Sequence, residues 1–181
     1  PMYYEEKVAE ECYKRVKENL EKLENYNHEI IFVNDGSKDK TLEILENIAE
    51  KDENVKVISF SRNFGHQAAV TAGLQYVTGD AIVIMDADLQ DPPELIPDML
   101  KLWEQGNEVI YGKRKSREGE SAFKLFTAKM FYKTLNALSD VEIPKDTGDF
   151  RLVDRKVVDT INQLPEHNKF LRGLFSWVGY K

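Results

Sequence analysis

The chain has 181 residues, of which 41% are hydrophobic and 31% are charged, a composition typical of a globular protein with a substantial core. Its formal net charge of -7 argues against nucleic acid as a partner, because binding to the phosphate backbone depends on clustered Lys and Arg. The single cysteine, Cys12, excludes an intrachain disulfide and a zinc site built from several cysteines, and its helical surroundings favour a buried thiol.

From the N-terminus, hydrophobic periodicity predicts a regular alternation of helices and strands over residues 8–112. The predicted elements are a helix over 8–23, a strand over 29–34, a helix over 42–49, a strand over 55–60, a helix over 65–77, a strand over 81–85, a helix over 93–106 and a strand over 108–112. The strands are continuous apolar runs, which is typical of strands buried on both faces. The sequence therefore predicts an α/β fold, with a mainly parallel sheet flanked by helices.

The last third of the chain has a different character. A basic loop over 113–121 precedes a predicted helix over 122–138, a loop over 139–150, a helix over 155–164 capped by Asp154, and an aromatic end segment. The helix over 122–138 is apolar around much of its circumference and carries Lys, so it either packs in the core or rests on a membrane surface or a partner. Because no linker divides the chain and no apolar run reaches the ~18–20 residues that span a bilayer, we expect one soluble domain over residues 1–181.

The chain begins "PMYYEE" and passes straight into a helix, with no predicted strand before it. An α/β domain that starts on a helix is possible. The non-Met start at the foot of a helix instead favours the interpretation that a first strand has been cut away.

Polar side chains follow three of the four predicted strands, in the segments "VNDGS", "SRNFGH" and "DADLQ". In open α/β sheets, ligands bind in the crevice beyond the carboxyl ends of the strands. Asp86 and Asp88 point to the same side of an extended chain, and Gln90 can join them. Such oxygens suit Mg²⁺ or Mn²⁺ that holds a diphosphate, and the alternative is an ordinary acidic loop at the edge of the core.

Three further features each have a structural and a functional interpretation. The segment around Asp35 is either a tight turn or a contact for the base or ribose of a nucleotide. His66, at the predicted start of a helix, is either structural or close to a bound anion. The basic loop that contains Arg114 is either a solvated run of charge or a contact for a phosphate-bearing ligand.

Five segments occur in a fixed order along almost the whole chain: "PMYYEE", "FVNDGSKDKT", "DADLQDPPE", "DTGDFRL" and "FLRGLFSWVG". Together they resemble family 2 glycosyltransferases of the GT-A fold. The chain is most similar to bacterial polyprenyl-phosphate glycosyltransferases, which include bactoprenol glucosyltransferases, and to dolichol-phosphate mannose synthases. By this resemblance the chain is a single GT-A catalytic domain trimmed at both ends, and the absent first strand would lie centrally in the sheet.

On the donor side, the resemblance implies a nucleotide-binding role for the first segment and for the carboxylate after the first predicted strand. By motif position these residues are Pro1, Tyr3 and Glu5, with Asp35 at the base. Tyr4 stands where relatives carry Asn.

The "DADLQ" motif implies the site of a divalent metal, Mg²⁺ or Mn²⁺. Asp86 is expected at the ribose and the sugar diphosphate, where it also approaches the metal. Asp88 is the expected metal ligand, with Gln90 beside it.

On the acceptor side, Asp149 of "TGDF" matches the base or acceptor-aligning acid of inverting relatives. Arg151 and Arg114 match positions near the acceptor phosphate. The implied activity is metal-dependent transfer of a hexose, with inversion, from a nucleotide-diphosphate sugar of the UDP-glucose or GDP-mannose type. The implied acceptor is a polyprenyl phosphate at the cytoplasmic face of the cell membrane, with the membrane surface itself as a partner.

Three alternatives stay open at this point. A glycosyltransferase with a saccharide hydroxyl as acceptor would need Asp149 as a true general base. A non-catalytic module would bind a sugar nucleotide without turnover. A receiver-like phosphoacceptor domain is also α/β with carboxylates at strand ends, but the aromatic last third of this chain does not fit it.

Overall fold

The computed structural model describes residues 1–113, 147–166 and 169–181. In chain order they form α1 (Ala9–Leu20), β1 (Ile30–Asn34), α2 (Thr41–Ala49), β2 (Val55–Ser59), α3 (His66–Tyr76), β3 (Ala81–Ile84), α4 (Ile96–Glu104), β4 (Val109–Lys113), β5 (Thr147–Asp154), α5 (Arg155–Gln163) and α6 (Leu171–Trp177). The helices and strands predicted over 8–112 are all present, whereas the predicted helix over 122–138 lies outside the described residues. Within those described ranges, no helix combines the length and the apolarity that crossing a bilayer requires.

Local sequence signals set the ends of α4 and α5. Pro97 lies in the first turn of α4. Backbone N–H groups in a first turn have no acceptor within the helix, so a proline there loses no helical hydrogen bond. Gly106, with a φ of +89°, follows the end of the helix. The carboxylate of Asp154 accepts a hydrogen bond from the N–H of Lys156 at 3.0 Å, which confirms the predicted cap of α5.

The described strands form two sheets. β1 and β2 pair in parallel, from Ile30 opposite Val55 to Asn34 opposite Ser59. β3 and β4 both pair antiparallel with β5, which lies between them. Because β3 and β4 run opposite to the same strand, they run in the same direction as each other, as the sequence predicted.

β5 corrects the prediction of a loop over 139–150, since Thr147–Phe150 form its first half. The Gly and Asp of "TGDF" are typical of turns, but the pairing of Thr147 with Lys113 of β4 keeps the segment in the ladder. Leu152 and Val153 in its second half are fully buried. Arg151 lies opposite Ile84 at the carboxyl end of β3, so the beginning of β5 reaches the edge of the sheet where ligands are expected.

The core around α1 contains the predicted buried thiol. Cys12 lies on the same face of α1 as Ala9 and Val16, and this face packs against β1 and α2. Burial raises the pKa of the Cys12 thiol to about 11, so the thiol is a small apolar packing group.

A cavity of about 610 Å³ separates the two sheets. Its lining includes Val33 of β1 and Val83 of β3 on two sides. Val16 of α1 and Gly73 of α3 also line it.

Candidate active site

The loop after β1 is fixed by hydrogen bonds to the side chains of Asn34 and Asp35. The buried Asp35 carboxylate accepts from the N–H of Phe64 at 2.7 Å and, with its other oxygen, from the N–H of Gly65 at 2.9 Å. Asn34 accepts from the N–H of Ser37 at 3.2 Å. Asp35 thus ties the loop between β2 and α3 to the end of β1, and its contact with a nucleotide base stays a prediction.

Gly36 allows these two loops to approach each other closely. Its φ is +70°, a conformation that favours glycine, and a Cβ built there would lie 2.2 Å from the backbone carbonyl carbon of Arg62. Any side chain at this position would therefore push the two loops apart.

The first two residues run beside the end of β1. Met2 donates its N–H to the carbonyl of Val33 at 2.8 Å, and its carbonyl accepts from the N–H of Asp35 at 2.9 Å. Burial lowers the pKa of the Pro1 amine, although the carboxylates of Asp86 and Asp35 oppose this shift. Pro1 therefore lies between the carboxyl ends of β1 and β3, where the nucleotide was predicted to bind.

Tyr3 and Glu5 follow Pro1 and Met2 in the segment that runs beside the end of β1. The Tyr3 ring is 46% exposed and contacts the ring of Tyr4 edge-on, with the centroids 4.6 Å apart. Burial, and next the charge of Asp88, raise the pKa of Glu5. The predicted donor-binding residues and the predicted metal ligand are therefore close enough to interact electrostatically.

Tyr4 occupies a backbone conformation that few side chains adopt. Its φ is +57°, and its N–H donates to the hydroxyl of Ser37 at 3.1 Å. Asn tolerates this left-handed conformation better than an aromatic residue does. The positive φ at this position therefore explains why the family pattern has Asn here.

The "DADLQ" segment turns sharply after Asp86. The N–H of Asp86 donates to the carboxylate of the buried Asp91 at 3.1 Å. Asp88 is exposed and accepts a hydrogen bond from the N–H of the exposed Gln90 at 3.0 Å, and Leu89 between them has a φ of +64°. The segment is thus a turn rather than the extended chain from which the shared direction of Asp86 and Asp88 was predicted.

His66, Asp86 and Asp149 form a compact cluster, in which one ligand atom from each lies within 4.8 Å of the others. His66 Nε2 is 2.8 Å from Asp86 Oδ1, and His66 Nδ1 is 3.9 Å from Asp149 Oδ2. The hydrogen bond with Asp86 is the main cause of a raised pKa of His66, and burial opposes it. Within the described part of the chain, Asp88 belongs to no such group of three, so Asp86 is associated with His66 and Asp149.

Asp149 is held by two arginines. Arg172, on α6, contacts the Asp149 carboxylate at 3.1 Å, and Arg151, two residues along β5, contacts it at 3.3 Å. Gln67 accepts from the N–H of Leu171 at 3.0 Å and so links the beginning of α6 to α3. Elements far apart in sequence therefore converge on one carboxylate.

Arg151 is 1% exposed and lies between the rings of Tyr111 and Phe175, with its guanidinium carbon 5.3 Å and 4.8 Å from the two centroids. Burial lowers the pKa of Arg151, and the charge of Asp149 opposes this. Its Nη1 has no hydrogen-bond acceptor among the described residues. This position favours orientation of Asp149, so the contact of Arg151 with an acceptor phosphate stays a prediction.

Arg172 was not singled out as functional from the sequence, and the partner of His66 was not predicted. Arg172 belongs to the quoted motif "FLRGLFSWVG", where a lone Arg in an apolar segment is a usable signal. His66 was predicted near an anion, but its pairing with Asp86 was not predicted. Arg114, predicted at the acceptor phosphate, lies outside the described residues.

Comparison with known proteins decides the family. The Glycosyl transferase family 2 profile matches residues 1–161. This chain belongs to glycosyl transferase family 2. An uncharacterized glycosyltransferase of Bacillus subtilis (strain 168) is 55% identical over 181 residues, which are 100% of this chain and 56% of that protein. A prophage bactoprenol glucosyl transferase homolog of Escherichia coli (strain K12) is 45% identical over 181 residues, 100% of this chain and 59% of that protein.

Solved structures share the fold of this family 2 chain. A mannosyltransferase from Pyrobaculum calidifontis, in complex with GDP-Man and Mn²⁺, matches with a TM-score of 0.64 and 19% identity over 100% of this chain and 51% of that chain. Glucosyl-3-phosphoglycerate synthase from Mycobacterium tuberculosis, in complex with Mn²⁺, UDP and phosphoglyceric acid, matches with a TM-score of 0.57 and 19% identity over 87% of this chain and 54% of that chain. The predicted GT-A fold is confirmed, and the chain spans little more than half the length of the relatives it matches.

Proposed function

We propose that this chain is the catalytic part of an inverting hexosyltransferase that transfers a sugar from a nucleotide diphosphate to a polyprenyl phosphate. The proposed place of action is the cytoplasmic face of the cell membrane. Relatives named bactoprenol glucosyl transferase, 44–45% identical over 99–100% of this chain, support the acceptor class. The observation that carries the proposal is the Asp149 carboxylate, which Arg151 and Arg172 orient beside His66 and Asp86.

The donor is assigned to the crevice between the carboxyl ends of β1 and β3. The exposed ring of Tyr3 offers an apolar face for the base, and Pro1 and Glu5 border the same space. Asp35 is assigned to the base through the loop that it holds. Asp86 is assigned to the ribose and the diphosphate.

The metal is assigned to Asp88, with Gln90 and Asp86 as neighbouring oxygen donors. A Mg²⁺ or Mn²⁺ ion held by these residues would stabilise the charge of the departing nucleoside diphosphate. Asp88 and Gln90 are exposed and carry the hard oxygen donors that either ion prefers. His66 is assigned to Asp86 rather than to the metal, because its Nε2 lies 2.8 Å from Asp86 Oδ1.

For the acceptor, positioning matters more than deprotonation. A polyprenyl phosphate is already ionised at neutral pH, so Asp149 aligns the attacking oxygen with the anomeric carbon. That oxygen forms the new glycosidic bond while the bond to the nucleoside diphosphate breaks on the opposite side, which inverts the configuration. Arg114 is assigned to the acceptor phosphate, and Arg151 keeps Asp149 in place from its buried position.

The direct test is transfer from UDP-glucose or GDP-mannose to undecaprenyl phosphate, with and without Mn²⁺. Asp88→Ala is expected to abolish metal-dependent transfer. Asp98→Ala, which removes an exposed carboxylate paired only with Lys101 among the described residues, is the matched control and is expected to retain it. Full activity of Asp88→Ala would contradict the metal assignment.

Asp149→Asn separates the two acceptor classes. With a hydroxyl acceptor, loss of a general base is expected to reduce the rate by ~10²–10⁴. With a phosphate acceptor, a smaller loss is expected, because the nucleophile needs no deprotonation. Thermal stabilisation by UDP and Mn²⁺ without turnover of any donor would contradict the proposal. It would indicate a module that binds a sugar nucleotide without catalysis.

A further inference from the structure

The side-chain amide of Gln67 has two partners, one on each of two helices. Its Oε1 accepts a hydrogen bond from the N–H of Leu171, at the beginning of α6, at 3.0 Å. Its Nε2 lies 3.3 Å from Nδ1 of His66, the residue before it in the first turn of α3. Gln67 is half-buried and borders the same small space as His66 and Asp149. One amide therefore joins α3 to α6 directly beside the carboxylates of the candidate active site.

The contact with Leu171 decides which end of the amide faces His66. A backbone N–H can only donate, so the atom opposite the N–H of Leu171 is the carbonyl oxygen of Gln67 and not its NH₂ group. The NH₂ group therefore faces Nδ1 of His66. Because an NH₂ group can only donate, Nδ1 is the acceptor in this contact.

This donor places the ring proton of His66 on the other nitrogen. A neutral imidazole has one N–H and one accepting nitrogen, so an accepting Nδ1 requires the proton on Nε2. Nε2 lies 2.8 Å from Oδ1 of Asp86, and the N–H donates to this carboxylate. In the other tautomer, Nδ1–H would face the NH₂ group of Gln67 and the bare Nε2 would face the carboxylate, so both contacts would become repulsive.

The same amide reaches the second carboxylate through α6. Leu171 precedes Arg172, whose Nη2 contacts Oδ2 of Asp149 at 3.1 Å. Because Gln67 holds the N–H of Leu171, it limits the movement of the beginning of α6 and of the backbone that carries Arg172. A change at Gln67 is therefore transmitted to Asp149 as well as to His66.

We propose that Gln67 is a positioning residue that aligns the two carboxylates of the site with each other. Through the tautomer of His66 it places Asp86, which is assigned to the donor. Through the beginning of α6 it places Asp149, which is assigned to the acceptor. The inference deepens the proposed function and rests on it. Gln67 acts on the reaction only by this alignment, and a misplacement of about 1 Å costs up to ~10²-fold in rate.

The ring nitrogens of His66 test the assignment without any substrate. In protein labelled with ¹⁵N at histidine, NMR distinguishes a ring nitrogen that carries a proton from one that does not, and His66→Asn identifies the signals of this ring. At a single alkaline pH, we expect an unprotonated Nδ1 and a protonated Nε2. A protonated Nδ1 would overturn the proposal. An unprotonated Nδ1 supports the contact with Gln67 even if the protein transfers no sugar, a result that would contradict the proposed function alone.

Gln67→Glu separates the two contacts of the amide. A carboxylate still accepts from the N–H of Leu171, and an acidic residue suits the first turn of α3, but it cannot donate to His66. A carboxylate beside Nδ1 instead favours a proton on that nitrogen. We expect the Nδ1 signal to change to the protonated form and kcat to fall by ~10-fold or more, with a smaller change in the KM for the donor.

A purely structural role of Gln67 predicts a different result. If the amide only held α6, Gln67→Glu would keep the Nδ1 signal and the kcat of the parent protein, and this result would overturn the proposal. A changed Nδ1 signal with an unchanged kcat would also overturn it, because the tautomer of His66 would then have no effect on the reaction.

A second variant keeps the test informative if the added charge impairs folding. Gln67→Leu removes both contacts, and its loss of kcat is expected to exceed that of Gln67→Glu, on the order of 10²-fold. Gln75→Glu, at an exposed position about two turns further along α3, is the matched control and is expected to leave the Nδ1 signal and kcat unchanged. All rates are compared below the Tm of every variant. A loss of kcat in Gln67→Leu no larger than that in Gln75→Glu would overturn the proposal.

Discussion

The carboxylates at the ends of the two sheets differ in their partners. At the end of β1, Asp35 is buried and accepts from two backbone N–H groups of the loop between β2 and α3. Beyond the end of β3, Asp86 pairs with His66, and Asp149 pairs with Arg172. Sequence context made Asp35 and Asp86 look alike, as acids placed next to strand ends, and placed Asp149 in a loop.

The difference in partners indicates a difference in role. A backbone N–H group has no other protonation state and moves only with its loop, so the bonds of Asp35 maintain the shape of the crevice. Histidine and arginine side chains can exchange partners when a charged ligand arrives. We therefore propose that the end of the first sheet provides the frame of the site and that the end of the second sheet provides its chemistry.

The largest effects are expected from removing one charge at each end. Asp86→Asn is expected to reduce the transfer rate by ~10²-fold or more with little change in Tm, because it removes an electrostatic contact of the reacting groups. Asp35→Asn is expected to lower the free energy of unfolding by ~1–3 kcal/mol, since one buried N–H loses its acceptor, and to retain the rate at saturating donor. Steady-state kinetics measure the transfer rate of both variants, and chemical denaturation measures their free energy of unfolding. If Asp35→Asn instead lowers the transfer rate without lowering the free energy of unfolding, the carboxylates at the ends of both sheets take part in the reaction.

A stability effect of similar size is expected at Gly36. Gly36→Ala places a Cβ 2.2 Å from the backbone of Arg62 and adds the strain of a positive φ, so a loss of more than ~2 kcal/mol is expected. Gly106→Ala is the matched control, because Gly106 also has a positive φ but has no atom within 4 Å of its Cβ position. A loss of only ~1 kcal/mol is expected there. Equal losses would mean that the close approach of the two loops contributes nothing.

Stability depends on pH through Asp52, which precedes β2 and contacts Lys17 and Tyr13 of α1. Hydrogen bonds from Lys17 of α1, and then from Tyr13, lower the pKa of Asp52 from 3.8 to about 2. The stabilisation is therefore fully present above pH 3.8 and is lost as the pH falls toward 2. Asp52→Asn is expected to unfold at lower temperature than the parent protein at pH 7, and the two Tm values are expected to converge near pH 2. Thermal denaturation between pH 2 and pH 7 measures the difference in Tm between the two proteins. Asp98→Asn, at an exposed carboxylate, is the control and is expected to show no such convergence.

The smallest effect is expected at Tyr4. Tyr4→Asn is expected to stabilise the protein by up to ~1 kcal/mol, because Asn tolerates the φ of +57° better than Tyr does. Tyr3→Asn, next to it and without a positive φ, is expected to give no such gain. Chemical denaturation compares the two variants, and a destabilised Tyr4→Asn would show that the edge-on contact between the two rings outweighs the backbone strain.

The sequence predicts the features that depend on local pattern. Apolar runs and turn residues locate the elements over 8–112, and the acids that follow them locate the edge of the sheet where the site lies. The cap at Asp154 and the buried thiol at Cys12 are equally local, and both are confirmed.

Features that depend on contacts across the fold are not visible in the sequence. The pairing of His66 with Asp86 spans 20 residues, and that of Asp149 with Arg172 spans 23. The first half of β5 was predicted as loop because its residues resemble a turn, and its place in the sheet comes from pairing with β4, which the local sequence does not reveal. The chain bends over residues 87–89, where Leu89 adopts a positive φ that an apolar residue gives no reason to expect.

The pairing at the ends of β4 and β5 has a consequence for how the protein can vary. Lys113 and Thr147 lie opposite each other in the ladder, so backbone pairing holds the end of β4 beside the beginning of β5. This pairing, together with that of β5 with β3, sets the register of the three strands. We therefore expect homologues to tolerate insertions and deletions between positions 113 and 147 without a shift of Asp149 relative to Asp86.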